Sequence, residues 1–297
     1  MRVFLTGATG FIGSRIVPEL INAGHEVLGM TRSDAGARWL EQHGAIAHRA
    51  TLEQPDSIAR GVEQADAVIH TAFDHDFARF VENCEKDRGV IEAMAGALVG
   101  SDRPFIITSG TGMGSRGPGE LAVEDVFDRH HPNPRYLSEL AGEEAAARGV
   151  SVGVVRLPQV HDTARQGLIS PVIEIARRTG VSAYVGDGTN RWPAAHLTDV
   201  VRLYRLALEQ HQPGARWHAV DEEGVSVREI AEVIGAGLGL PVKSVSTDQA
   251  AEHFGWLGAF ASMDMPASSA QTRARLGWAP TGPRLIDDLR NMDFASA

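Results

Sequence analysis

The chain alternates short apolar runs with longer stretches whose apolar residues recur at helical spacing. Val3–Leu5, Glu26–Met30, Ala45–Ala47, Ala67–His70, Phe105–Thr108 and Val152–Val155 are continuous runs, as in strands buried on both faces of a parallel sheet. Between them Ile12, Ile16 and Leu20, and later Phe77, Val81, Cys84, Ile91 and Met94, form one-sided stripes that predict amphipathic helices. The order βαβαβα predicts an α/β fold, a doubly wound parallel sheet with right-handed crossovers. Pro18 removes a hydrogen bond from the first helix and predicts a bend there.

After residue 156 the pattern loosens. Helices are expected over Leu168–Arg178, Thr198–Gln210, Val227–Leu238, Ala250–Phe260 and Leu285–Met292, and short strands at Ser182–Val185, Arg216–Ala219 and Val242–Val245. The division expected is 1–156 for the sheet domain and 157–297 for a smaller mixed α/β cap on the carboxyl edge of its strands.

Composition narrows the function classes. The 297 residues include 38 acidic and 28 basic side chains, a net charge of −10, which argues against a nucleic-acid partner. Cys84 is the one cysteine, so neither an intrachain disulfide nor a cysteine-based zinc site is expected. No apolar run reaches membrane-spanning length, and the reading is a cytoplasmic protein with a small-molecule partner, self-association as a homodimer being left open. Only Lys86 and Lys243 are lysines. Any chemistry that needs an ammonium has two places to look.

Thr6-Gly7-Ala8-Thr9-Gly10-Phe11-Ile12-Gly13 follows the first strand and opens the first helix. Glycines at this spacing allow a tight turn, close approach of a pyrophosphate and close helix–strand packing, while the helix N-terminus supplies amide donors. The segment reads as a dinucleotide loop, with Gly7 and Gly10 at the cofactor. An acidic residue ending the second strand would take a ribose 2′-hydroxyl, but this chain has Met30-Thr31-Arg32-Ser33. Arg32 and Ser33 suit a 2′-phosphate, so the cofactor expected is NADP(H). Asp34 is the nearby acidic complication.

With Asp66-Ala67-Val68-Ile69-His70-Thr71-Ala72, Thr108-Ser109, Arg156-Leu157-Pro158 and Leu276-Gly277-Trp278-x-Pro280, the chain resembles the extended short-chain dehydrogenase/reductase superfamily, relatives of the NAD-dependent epimerases and dehydratases. The resemblance spans nearly the whole length and is nearest to an atypical subgroup that keeps the cofactor loop of the Rossmann domain and loses the standard active site. It implies that Gly7, Gly10, Phe11 and Ile12 face the pyrophosphate with Thr9 among the cofactor contacts, that Thr51 and Leu52 lie beside the adenine, Thr71, Ala72 and Phe73 along the middle of the cofactor, and Pro158 and Val160 at the nicotinamide end. The superfamily's Tyr acid/base and the Lys four residues on are not matched. In Pro134-Arg135-Tyr136-Leu137-Ser138-Glu139-Leu140 one register puts Arg135 and Glu139 in the two places; shifting by one recovers Tyr136 but gives Leu140 for the lysine. Gly110 stands where the catalytic serine is expected, leaving Ser109 or Thr111 as substitutes.

Ser109, Thr111, Arg135 and Tyr136 are therefore the catalytic candidates, with Arg135 as an electrostatic stabiliser. His75 in Asp74-His75-Asp76 and His161 are further cleft candidates, Asp199 in His196-Leu197-Thr198-Asp199 reads as a helix cap, and no metal site is expected. The cluster His253, Phe254, Trp256, Phe260, Met263 and Met265 is core or an apolar substrate wall, and Asn190-Arg191 is an alternative anion anchor. These features favour an NADP(H)-dependent oxidoreductase acting on a small, mostly apolar carbonyl compound. The alternatives are a non-catalytic NADP(H)-binding regulator and a sugar-nucleotide epimerase or dehydratase.

Overall fold

The computed structural model describes residues 1–295. The strands are β1 (Arg2–Thr6), β2 (Glu26–Thr31), β3 (Ile46–Arg49), β4 (Ala67–His70), β5 (Phe105–Gly110), β6 (Val152–Leu157), β7 (Gln159–His161), β8 (Ser182–Val185), β9 (Arg191–His196), β10 (Arg216–His218), β11 (Glu222–Ser226) and β12 (Val242–Val245). The helices are α1 (Gly13–Asn22), α2 (Asp34–Gln42), α3 (Pro55–Val62), α4 (Phe80–Gly96), α5 (Tyr136–Ala147), α6 (Ile169–Thr179), α7 (Leu197–Glu209), α8 (Val227–Leu238), α9 (Thr247–Phe254), α10 (Gly258–Ala261), α11 (Ala270–Leu276) and α12 (Leu285–Arg290).

Seven strands form one parallel sheet in the order β10-β6-β5-β4-β1-β2-β3. Alternate residues of β1 feed two apolar layers. Val3 and Leu5 pack with Ile16 and Leu20 of α1, Leu40 of α2 and Leu203 of α7. Phe4 packs on the other face with Ile58 of α3, Ile91 and Met94 of α4 and Ala145 of α5. The strand order reverses between β1 and β4, which opens a crevice above their carboxyl ends, the place where ligands bind in such sheets. Pro18 lies within α1, which continues through it as one ten-residue helix.

The cap has its own core, in which Ile173 of α6, Trp192 of β9, Ile234 of α8, Phe254 of α9 and Leu289 of α12 meet. The division at residue 156 needs correction, because β10 is the seventh strand of the main sheet and α7 covers one of its faces. The chain leaves the sheet after β6, returns for α7 and β10, and leaves again. The sequence reading also missed the sheet β11-β9-β7. Pro193, which lacks an amide donor, made β9 look like a turn; the irregular step between Glu222 and Val225 in the facing ladder accommodates it. The helix expected over Ala250–Phe260 is broken at Gly255, whose φ of +59° ends α9.

Candidate active site

The glycine loop has the form that the sequence predicts. Gly7 has φ +65°, and a Cβ there would lie 2.8 Å from the Ala72 amide nitrogen, so a side chain would collide with the backbone after β4. A Cβ on Gly13 would run into the Gly7 carbonyl. Helix α1 has no side-chain cap, and among the described residues the amides of Phe11 and Ile12 have no acceptor. Thr9 and Gly10 are exposed beside them. Uncapped amides in a glycine cradle fit a dinucleotide pyrophosphate.

At the end of β2 the charges are sorted. Asp34 pairs with Arg49 at 2.8 Å, whereas Arg32 is exposed and has no partner among the described residues. The Ser33 hydroxyl oxygen caps α2 by accepting from the Gly36 amide at 3.0 Å, which commits a lone pair and leaves its proton free. Thr51 bonds to Glu53, and Leu52 is half-buried beside it. Lys86 is held by Glu53 and, at 2.9 Å, by Asp74. Thr71 turns its hydroxyl to the Thr6 carbonyl at 2.8 Å, so that side chain ties β4 to β1. Pro158 is half-buried, and Val160 packs in the core beneath β7.

Arg135 immediately precedes α5. Its Nη1 donates to Asp87 Oδ2 at 2.6 Å and to Ser138 Oγ at 2.5 Å, and its Nη2 donates to the Thr108 carbonyl at 3.0 Å. Ser138 in turn donates to Asp87 Oδ2 at 2.6 Å. His70 reaches Asp87 Oδ1 through Nε2 at 2.9 Å and the Thr6 hydroxyl through Nδ1 at 2.7 Å. Burial opposes a charge on Asp87, but Arg135, His70 and Ser138 outweigh it and hold the carboxyl well below its usual range. The guanidinium lies 4.1 Å from the centre of the Phe73 ring. A continuous polar chain thus runs from the strand that carries the glycine loop to the start of α5.

Glu139, four residues on, turns away from this chain. It accepts two bonds of 2.8 Å from Arg156 of β6, both side chains being fully buried, and a third of 3.0 Å from Arg216 of β10. Arg135 and Glu139 thus both turn inward. Tyr136 is half-buried, and among the described residues its hydroxyl has no hydrogen-bond partner. Ser109 is buried on the α5 side of β5, while Thr111 is buried in the turn beyond it. A Cβ on Gly110 would meet nothing within 4 Å, so the usual serine's place is open space.

Several other expectations change. His161 is fully buried, with Nδ1 2.7 Å from Asp288 of α12, so it supports the cap and does not enter the cleft. His196 caps α7, whereas Asp199 accepts from the amides of Thr281 and Gly282 and anchors the segment before α12. Arg191 is paired with Asp264 at 2.8 Å and is not a free anion anchor. Asp76 caps the short turn that follows it. His75 is exposed along the cleft; surrounding protein and the guanidiniums of Arg135 and Arg165 push its pKa down. Phe77 stacks on Trp256 of the cap, with ring centres 4.3 Å apart and planes 3° from parallel.

Asp87 is the site residue that sequence reasoning missed. It occupies the gap between Cys84 and Ile91 in the apolar stripe of α4, and a carboxylate on a buried stripe was the available signal.

A doubly wound sheet with a glycine loop, a cleft at the switch point and a substrate cap defines a nucleotide-dependent α/β protein of the extended short-chain dehydrogenase/reductase type. The chain belongs to the NAD dependent epimerase/dehydratase family, whose model matches residues 3–220. It is 47% identical to an uncharacterized protein of Schizosaccharomyces pombe, over 97% of this chain and 98% of that one. It is 41% identical to an uncharacterized protein of Saccharomyces cerevisiae, over 98% of each. Among solved structures, a dTDP-glucose 4,6-dehydratase from Streptomyces venezuelae shares the fold, with a TM-score of 0.78, 18% identity and coverage of 99% of this chain and 96% of that chain.

Proposed function

We propose that this protein is an NADP(H)-dependent oxidoreductase acting on a small, mostly apolar carbonyl compound. The observation that carries the reading is the Asp87–Arg135 pair, which supports a fixed positive charge at the end of the cleft where the superfamily has its acid. Gly7, Gly10, Phe11 and Ile12 would hold the pyrophosphate, Arg32 and Ser33 the 2′-phosphate, Thr51 and Leu52 the adenine, and Phe73 and Pro158 the remainder. When bound, the dinucleotide supplies the two-electron redox chemistry.

The protein's own part is to orient and to polarise. Asp87 and Ser138 fix the Arg135 guanidinium, and Phe73 fixes its plane. Thr108 contributes its carbonyl and ties β5 to β4 through its hydroxyl, 2.7 Å from the His70 carbonyl. A preorganised cation of this kind stabilises developing negative charge without reorganising. Preference for NADP(H) rests on Arg32 being free while Arg49 neutralises Asp34.

Titration of the protein with NADPH and NADH, followed by turnover of a panel of aldehydes, ketones, imines and quinones, tests this reading. Tighter NADPH binding and oxidation with at least one panel member are expected; NADH preference, or no turnover by protein saturated with NADPH, overturns it. The second outcome would favour a regulator that binds the cofactor without catalysis, a reading supported by Glu139 being locked to Arg156 in the lysine's place.

A further inference from the structure

A guanidinium has five N–H donors, and the fold uses three of those on Arg135, for Asp87, Ser138 and the Thr108 carbonyl. The Nε proton and the second Nη2 proton have no acceptor among the described residues. The side chain is 14% exposed, and its face rests on Phe73. Phe73 meets Phe80 edge-on with ring centres 6.2 Å apart, and Phe80 meets Phe77 at 5.6 Å. Phe77 carries the row to Trp256 of the cap, which is 42% exposed. Unused in-plane donors therefore stand at the foot of an aromatic wall. No free carboxylate competes for them, since Asp87 is already satisfied, Lys86 holds Asp74, and Asp76 accepts from the Ala78 amide.

We propose that Arg135 is an oxyanion-binding group and that this cleft takes planar, conjugated oxyanions of the phenolate or enolate class. A guanidinium has no proton to give near neutrality, so it attracts negative oxygen without quenching it. An aliphatic alkoxide is a stronger base than hydroxide and takes a proton from water regardless. A phenolate is different, because its acid ionises like tyrosine at about 10 and charge spreads through the ring. The row of aromatic rings offers edges and faces on which a planar conjugated ligand packs, and Arg135 matches its charged end. Resting on the oxidoreductase reading, this names conjugated carbonyls as the substrate class: an enone or quinone that gains two electrons and one proton becomes such an anion.

The test uses the full chain without any dinucleotide and 4-nitrophenol as the probe, whose phenolate has its own absorbance band. The chain has five tryptophans, so the quenching seen in the wild type and lost in Trp256→Ala reports whether the probe sits in the cleft. The wild type is expected to favour phenolate over phenol by about tenfold, equivalent to a one-unit drop in the probe's pKa, with quenching of Trp256. Arg135→Met should abolish the preference. Trp256→Ala should weaken both forms equally and keep it. Since Arg135→Met strands Asp87 and can impair folding, Arg135→Lys is measured beside it; it retains the charge, lacks the planar donors and should lose most of the preference. No binding in the cleft, a wild-type preference for neutral phenol, or an Arg135→Lys protein equal to wild type overturns the proposal. Because no cofactor is present, such a failure is distinguishable from failure of NADPH binding or turnover.

Discussion

Asp87 Oδ2 lies 2.6 Å from Arg135 Nη1 across 48 residues of chain, joining the middle of α4 to the start of α5. The carboxylate is 2% exposed and the guanidinium 14%. Removing one partner of such a buried pair costs about 3–5 kcal/mol, because the other charge is left without compensation. The pair also holds the start of α5 in a register in which Arg135 and Glu139 both turn inward.

That register sets an order among the catalytic candidates. Arg135→Met is expected to lower turnover of the best panel substrate by about 100-fold, the usual effect of deleting a preorganised oxyanion donor. The loss should exceed that of Tyr136→Phe at least tenfold in steady-state NADPH oxidation. A larger loss for the tyrosine variant would return the acid role to Tyr136.

Arg32→Ala should weaken NADPH binding by about 10- to 100-fold, the worth of a hydrogen bond to a charged group, and should leave NADH binding within about twofold, an estimate that assumes no 2′-contact with NADH. Fluorescence titration with both cofactors measures the ratio. Equal losses for the two would remove Arg32 from the 2′-phosphate.

Burial raises the cost of ionising Glu139, yet Arg156 and Arg216 overcome it and keep its pKa below the usual value. Its stabilising contribution is therefore complete above the unfolded value of about 4.3 and is lost as pH falls through the lower folded value. Glu139→Gln should destabilise the fold by about 3–5 kcal/mol at pH 7, since Arg156 then stands alone. Urea unfolding gives the number, and a loss under about 1 kcal/mol, the size typical of exposed pairs, would contradict it.

His218 of β10 is buried as the neutral ring. Desolvation first, and then the Arg156 guanidinium, push its pKa down to about 3. Its Nδ1 lies 2.8 Å from the Ser268 carbonyl, and its Nε2 lies 3.1 Å from Arg156, a place for a lone pair. Below about pH 6.5 the unfolded chain binds a proton that the folded one refuses, so stability should fall by roughly 3 kcal/mol between pH 6.5 and 4. His161, also depressed by burial, adds a change of the same sign. His218→Gln keeps a donor and an acceptor and should flatten the profile; unfolding midpoints that decline as steeply as wild type would exclude His218 as the cause.

Much of this was legible in the order of residues. Continuous apolar runs gave the first six strands of the main sheet because strands buried on both faces cannot alternate. The glycine loop was legible because spacing and backbone freedom are local properties, as at Gly7. The scarcity of lysine likewise showed that an ammonium-assisted tyrosine had no ready source. The return of β10 to the sheet was not legible, since a three-residue strand declares its type but not its partner.

The sequence by itself determined the parallel sheet, the dinucleotide loop and the absence of the Tyr–Lys pair, all of which depend on periodicity, spacing or residue type. Tertiary structure alone decided that Arg135 is held by Asp87, that Asp34 is spent on Arg49 while Arg32 is free, and that Phe77 meets Trp256. Each of those is a pairing between distant positions, and an ionic or aromatic side chain acquires its role only when packing brings its partner within reach and removes the water between them.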